Sequence, residues 1–316
     1  MAAEKPGIKP ERSGEQRRAR KLKATISIIG AGRLGTALAR ALALCGYEIE
    51  ALVARRLAHA RRAAKLVSTG PRALAAAQLD QLPPSDVIII ATPDDRIAET
   101  ASRLAAFASH RNRRRIALHT SGALSSDILA PLRKAGFVTG SLHPLVSISD
   151  PVAGAERLRT AFYGVEGERA ALSRARSIVR DLGGQSFSLN AKDKALYHAA
   201  AVMTSGHMVA LFDMAVEMLK HCGLDEKRAR RVLLPLLRST LENLVKSESS
   251  RALTGTFARA DIKTVRRHLS ALRSQNLPDA LAAYTLLGHR SLQLAAKRGA
   301  DRAALREIIR ELEKQG

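Results

Sequence analysis

Two groups of residues in this chain have the types and spacing to do chemistry. The first is Gly30-Ala-Gly-Arg-Leu-Gly35, which follows the apolar run Thr25-Ile-Ser-Ile-Ile29 and opens the amphipathic stretch Leu34 to Leu44. A strand that ends in such a loop and leads into a helix is the arrangement that binds a dinucleotide. Gly30 permits the tight turn, Gly32 lets the backbone approach a pyrophosphate, and Gly35 lets the helix pack on the strand, with Ala31, Arg33 and Leu34 completing the loop. The anion would rest on the helix N-terminus, where unpaired N–H groups converge. About twenty positions on, where the ribose is read, stand Arg55 and Arg56. An Asp or Glu there would take the 2′-hydroxyl of NAD; an Arg pair forks onto a 2′-phosphate, so the expected coenzyme is NADP. Glu50 is the rival acid, but it falls inside the strand.

The second group is Lys194, His198 and Ser205, at i, i+4 and i+11, which share one stripe of a long helix beside the small or apolar Ala201, Val202 and Ala210. A Lys in a partly enclosed site loses basicity and can donate a proton or polarise a carbonyl. Lys194 is therefore the candidate acid, with His198 orienting it; a solvated Lys194 and a packed His198 are the plainer alternative. Further candidates come from loops that follow strands, where doubly wound sheets bind their ligands. Thr92 and Pro93 would wall the coenzyme. Ser121 reads as either a substrate hydrogen-bonder or a turn hydroxyl, and His143 as either an acid or substrate ligand or a ring bonded into its Pro-containing turn.

These groups need a frame that brings them together. From Thr25 to Leu189, short apolar runs alternate with helical patterns: Thr25 to Ile29, Tyr47 to Val53, Asp86 to Ala91, Ile116 to His119, Phe137 to Leu142, Phe162 to Glu166 and Gln185 to Leu189. That alternation predicts an α/β fold with a doubly wound parallel sheet, over residues 25–190. Residues 191–316 read as an all-helical domain: a long helix from Lys192 to His221 closed by Gly223, then helices starting at Asp225, Asp261, Pro278 and Asp301. Residues 1–24 read as a basic, solvated tail.

The chain has 316 residues and a net charge of +23, with 46% apolar residues. The charge invites anionic partners, but aromatic residues are only 3% and Trp is absent, so stacking platforms for nucleic acid are missing. Arg111-Asn-Arg-Arg-Arg115 reads as a solvated basic turn. Cys45 and Cys222 make neither a disulfide framework nor a metal motif, no histidine cluster suggests a metal, and no apolar run reaches the length of a membrane span. A cytoplasmic protein is expected.

The order of motifs resembles a bacterial family in which a Rossmann-like NADP-binding domain precedes a helical domain of unknown function. The resemblance is carried by Gly30 to Gly35, Ala91-Thr-Pro93, His119-Thr-Ser-Gly122, Gly140-Ser-Leu-His-Pro144, Tyr197-His198, and Leu253-Thr-Gly255 with Arg259 and Asp261. That family is similar to the 6-phosphogluconate dehydrogenase, pyrroline-5-carboxylate reductase and deazaflavin-dependent NADP reductase group. The resemblance implies a helical domain that forms a homodimer, an active cleft between the domains, and an unidentified small-molecule substrate. Related hydroxyacid dehydrogenases place Asn four residues after their Lys, where this chain has His198. Thr256 stands where the family pattern has Pro and Ala260 where it has Gly, both in the loop of Arg259. The expected function is an NADP-dependent oxidoreductase acting on a small C=O or C=N compound. The alternatives are a non-catalytic NADP-binding regulatory or scaffold protein and, last, a nucleic-acid binder.

Overall fold

A computed structural model of the chain describes residues 23–107 and 115–314. The tail, up to residue 22, and residues 111–114 of the basic turn lie outside them. The chain divides into compact units 1–201 and 202–316.

The first unit runs β1 (Ile26–Ile29), α1 (Arg33–Leu44), β2 (Ile49–Ala54), α2 (Leu57–Ala64), β3 (Arg72–Ala75), β4 (Val87–Ile90), α3 (Asp94–Phe107), β5 (Ile116–His119), α4 (Ala130–Lys134), β6 (Val138–Pro144), α5 (Pro151–Leu158), β7 (Phe162–Gly167), α6 (Arg169–Asp181) and β8 (Gln185–Ser188), and ends within α7 (Lys194–Thr204). The strands form one sheet in the order β3-β2-β1-β4-β5-β6-β7-β8. Its pairs are parallel except β6 with β7. On β4, Val87 and Ile89 join the core on one face while Ile88 and Ile90 join the core on the other. Burial on both faces is why the strand reads as a continuous apolar run. Chain order reverses between β1 and β4, so the carboxyl ends of those strands form the switch point at which such sheets take ligands.

Three local features depart from the sequence reading. β3 was not foreseen: Arg72-Ala-Leu-Ala75 has a helix-forming composition, and parallel pairing with β2 overrides it. The division into units falls after Ala201 rather than after Asn190, because side chains of α7 are bonded into the sheet. The long helix is broken: Ser205, with φ −113° and ψ −69°, separates α7 from α8 (Gly206–His221), a Ser-Gly step being a common site of helix kinks. The stretch Ala191–His221 is nevertheless long and apolar enough to pass for a membrane span, contrary to expectation. Its first turn is committed to the sheet through Lys194.

The second unit contains α8, α9 (Glu226–Lys246), α10 (Ser249–Ala252), α11 (Ile262–Ser274), α12 (Pro278–Lys297) and α13 (Arg302–Glu313). Asp225, Asp261 and Asp301 each cap a helix N-terminus, accepting from the N–H of Arg228, Thr264 and Ala304, as their residue type predicts. Val265, Leu269, Leu292, Leu305, Ile308 and Leu312 form the core of this unit. In contrast, α9 buries only Ala229 and leaves Val232, Leu236 and Leu241 exposed.

Ala260, at the position where the family pattern has Gly, lies in the left-handed region with φ +52°. A Cβ there is strained, and the turn must hold it to let Asp261 cap α11. Ala260→Gly is therefore expected to stabilise the protein by about 0.5–1 kcal/mol, net of the entropy that glycine adds to the unfolded chain. The denaturant midpoint should rise at constant m; an unchanged or lower midpoint contradicts the strain.

Candidate functional site

At the switch point each glycine of the loop has a distinct steric reason. Gly30 has φ +109°, and a Cβ on it would come within 2.5 Å of the Ala91 carbonyl carbon; a Cβ on Gly35 would strike the Gly30 carbonyl oxygen at 2.1 Å. Gly32, in contrast, has nothing within 4 Å of its Cβ position and caps α1 with no side-chain bond and no acidic residue in the first turn. The result is an open helix N-terminus with unpaired donors. The Gly30 and Ala31 amides both donate to Val53 O, at 2.8 and 2.9 Å, fixing the loop to the end of β2. Arg55 and Arg56 follow that strand and are exposed, as is Arg33, while Leu34 and Ala31 pack against the core. Glu50 sits away from them, accepting the Ser85 hydroxyl. Pro93 is exposed at the end of the facing loop, and Thr92 Oγ1 is buried without a partner. An open amide cradle, an Arg pair and an orphaned hydroxyl fit a dinucleotide phosphate.

Farther along the same sheet edge, Lys194 is 0% exposed. Its Nζ donates to Ser121 O at 3.1 Å and to Ser141 Oγ at 2.8 Å. Ser141 donates in turn to Glu166, its register partner across β6 and β7, at 3.3 Å. Glu166 also accepts the Ser126 amide and hydroxyl, each at 2.8 Å. Burial pushes the ammonium down to about 8, against the pull of Glu166 and Asp94. The Ser121 hydroxyl is fully occupied: it donates to Asp94 at 2.8 Å and accepts the amides of Ala123 and Leu124 at 3.2 and 3.0 Å.

Three imidazoles surround this loop. His119 is sealed: its Nδ1 accepts the Ser121 amide at 3.1 Å, so Nε2 bears the hydrogen and donates to Ser125 O at 3.2 Å. Burial, reinforced by Lys194, pushes it down to about 3. His143 and His198 stand edge to face with centroids 5.6 Å apart. A Cβ on Gly122 would lie 2.5 Å from His198 Cδ2 and 2.9 Å from His143 Nε2, so both rings close on that glycine. His143 Nδ1 is 2.7 Å from the Tyr197 hydroxyl. Burial, then His198 and Lys194, push His143 down to about 4, which keeps the ring neutral at pH 7.

Residues 8–144 match the model of a Rossmann-like domain, and residues 161–291 that of a domain of unknown function, DUF2520. The chain joins a Rossmann-like domain to a DUF2520 domain. No curated protein matches it. A solved protein of Thermotoga maritima is similar, with 24% identity over 86% of this chain and 99% of that one and a TM-score of 0.67. A Bacteroides fragilis protein proposed to be an NADP oxidoreductase has 22% identity over 85% and 98%, with a TM-score of 0.68. An imine reductase of Myxococcus stipitatus, solved with NADP+, has 18% identity over 90% and 99%, with a TM-score of 0.62. These likenesses establish the fold.

The Lys194 cluster draws Ser121 and Ser141 from the Rossmann-like match and Glu166, Lys194, Tyr197 and His198 from the DUF2520 match, all within the first compact unit. Lys194, Ser121, His143 and His198 do come together, but in altered roles. Lys194 lies behind the loop with two of its N–H groups committed, so it anchors rather than faces a substrate. Ser121 is a turn hydroxyl with no capacity left for a ligand. His198 makes no bond to Lys194 and packs against His143 instead. Ser205 is exposed at the break before α8 and takes no part. Sequence reasoning missed Ser141, Glu166 and Tyr197 as members of the cluster. The alternation in Gly140-Ser-Leu-His143 already set Ser141 and His143 on one face of a strand.

Proposed function

We propose that this chain is an NADP-dependent oxidoreductase that reduces a small C=O or C=N compound beside His143. The observation that carries the reading is the open cradle at Gly32 with Arg55 and Arg56 exposed after the neighbouring strand. Gly30 to Gly35 would hold the diphosphate, the two arginines the 2′-phosphate, and Thr92 and Pro93 would wall the coenzyme. NADPH, when bound, supplies the hydride. The neutral His143 ring offers a hydrogen-bonding nitrogen to the substrate, His198 and Gly122 close around it, and Lys194 fixes the loop that carries Gly122. Solved relatives of the fold described as NADP oxidoreductases and imine reductases support this reading over a scaffold role, and a coenzyme-dependent reductase with two free cysteines suits the cytoplasm.

The partner is a second copy of the chain. Val232, Leu236 and Leu241 are large apolar residues left 48–64% exposed on the single helix α9, and large apolar side chains exposed along one helix mark an interaction surface. Sedimentation of the full chain should give about twice 34.0 kDa and Leu236→Glu should give the monomer; a monomeric parent contradicts this.

Calorimetry tests the coenzyme. NADPH should bind roughly 10–100-fold more tightly than NADH, the worth of a charge-assisted contact, and Arg55→Ala should remove most of the difference. Equal binding of both coenzymes, before and after the substitution, contradicts the assignment.

A further inference from the structure

We propose that this site, on the NADP-dependent reading above, takes a neutral carbonyl compound rather than an iminium ion, because Tyr197 holds His143 in the tautomer with its hydrogen on Nε2. His143 and Gly164 are register partners across β6 and β7. Gly164 has no side chain to fend off α7, and a Cβ on it would come within 2.8 Å of the Tyr197 oxygen. The phenol therefore rests directly on the Gly164 backbone, and the one side chain that bonds its oxygen among the described residues is His143. Its one hydrogen is left for His143 Nδ1, 2.7 Å away. A neutral imidazole carries a single hydrogen, so an accepting Nδ1 puts it on Nε2. Nε2 has no hydrogen-bond partner among the described residues, and it is not one of the buried unpartnered atoms. It is a donor open to a ligand beside Gly122.

A donor of this kind needs a lone pair. A carbonyl oxygen has two, whereas an iminium nitrogen has none and brings a positive charge into a site that already holds the Lys194 ammonium. The nearby carboxylates are engaged elsewhere: Glu166 by Ser126 and Ser141, and Asp94 by Ser121. NADPH, held at Gly30 to Gly35, would supply the hydride for the new C–H bond, with the C=O π pair moving onto oxygen. That oxygen takes the Nε2 hydrogen as the Tyr197 hydrogen passes to Nδ1; a solvent proton then returns to Nε2 and the Nδ1 hydrogen to the phenolate oxygen, leaving an alcohol and the resting tautomer restored. Tyr197 is a positioning residue in this scheme, since it touches His143 and not the substrate.

Two measurements test it on the full chain. Nitrogen NMR of 15N-histidine-labelled protein without coenzyme should show His143 protonated at Nε2 and bare at Nδ1, with Tyr197→Phe giving a mixture of tautomers. With NADPH, a panel of uncharged aldehydes and ketones should be reduced at least ~10-fold faster than 1-pyrroline, and Tyr197→Phe should lower kcat ~10–100-fold with KM little changed. A hydrogen on Nδ1 in the parent, faster reduction of 1-pyrroline, or no reduction of any carbonyl overturns the proposal. Absence of NADPH binding by calorimetry overturns instead the coenzyme reading beneath it, while the tautomer measurement, made without coenzyme, still decides the claim about His143.

Discussion

The site depends on the burial of one ammonium group. A charge removed from water is tolerated only when hydrogen bonds and a nearby opposite charge compensate it, and two of the Lys194 N–H groups are bonded, to the Ser121 carbonyl and the Ser141 hydroxyl, with the Glu166 carboxylate one bond further. Removing one partner of such a buried group typically costs about 3–5 kcal/mol, so the arrangement ties the loop after β5, the strand β6, the strand β7 and the first turn of α7 into a single unit. The next turn of α7 then has no choice of position, and it delivers Tyr197 to His143 and His198 to Gly122.

This division of labour explains why so many polar side chains near the sheet edge are unavailable for a ligand. His119 clamps the loop through Ser121 and Ser125, and Ser121 braces it internally and against Asp94. What remains open is a small set: the amide cradle at Gly32, the arginines beside it, and the two rings over Gly122. Neutral His119 and His143 carry a cost that grows with acidity, since below the ordinary imidazole value of 6.5 the unfolded chain binds protons that the folded one refuses down to about 3 and about 4.

Much of the frame was legible because its causes are local. The glycine loop, the buried run Val87-Ile-Ile-Ile90 and the capping Asp225, Asp261 and Asp301 each act through neighbours within a few residues. The site was legible only in part, because its roles are set by contacts remote in sequence. Lys194, His143, His198 and Ser121 could be picked out by type and spacing, but nothing in their surroundings tells that Lys194 is sealed or that Ser121 is saturated. The partnership of Ser141 with Glu166 and of His143 with Gly164 follows from the antiparallel register of β6 and β7, which apolar patterning alone does not specify. The edge strand β3 was hidden for a related reason: pairing with β2 overrides its composition.

Titration of Lys194 tests the central claim most directly. In NMR of lysine-labelled full-length protein, with Lys194→Met to assign the signal, its Nζ should titrate near 8, below the bulk of the lysines, because burial disfavours the charged form more than Glu166 and Asp94 restore it. An ammonium that titrates with the solvated lysines near the ordinary value of 10.5 would contradict a sealed anchor and return Lys194 to the surface of the site.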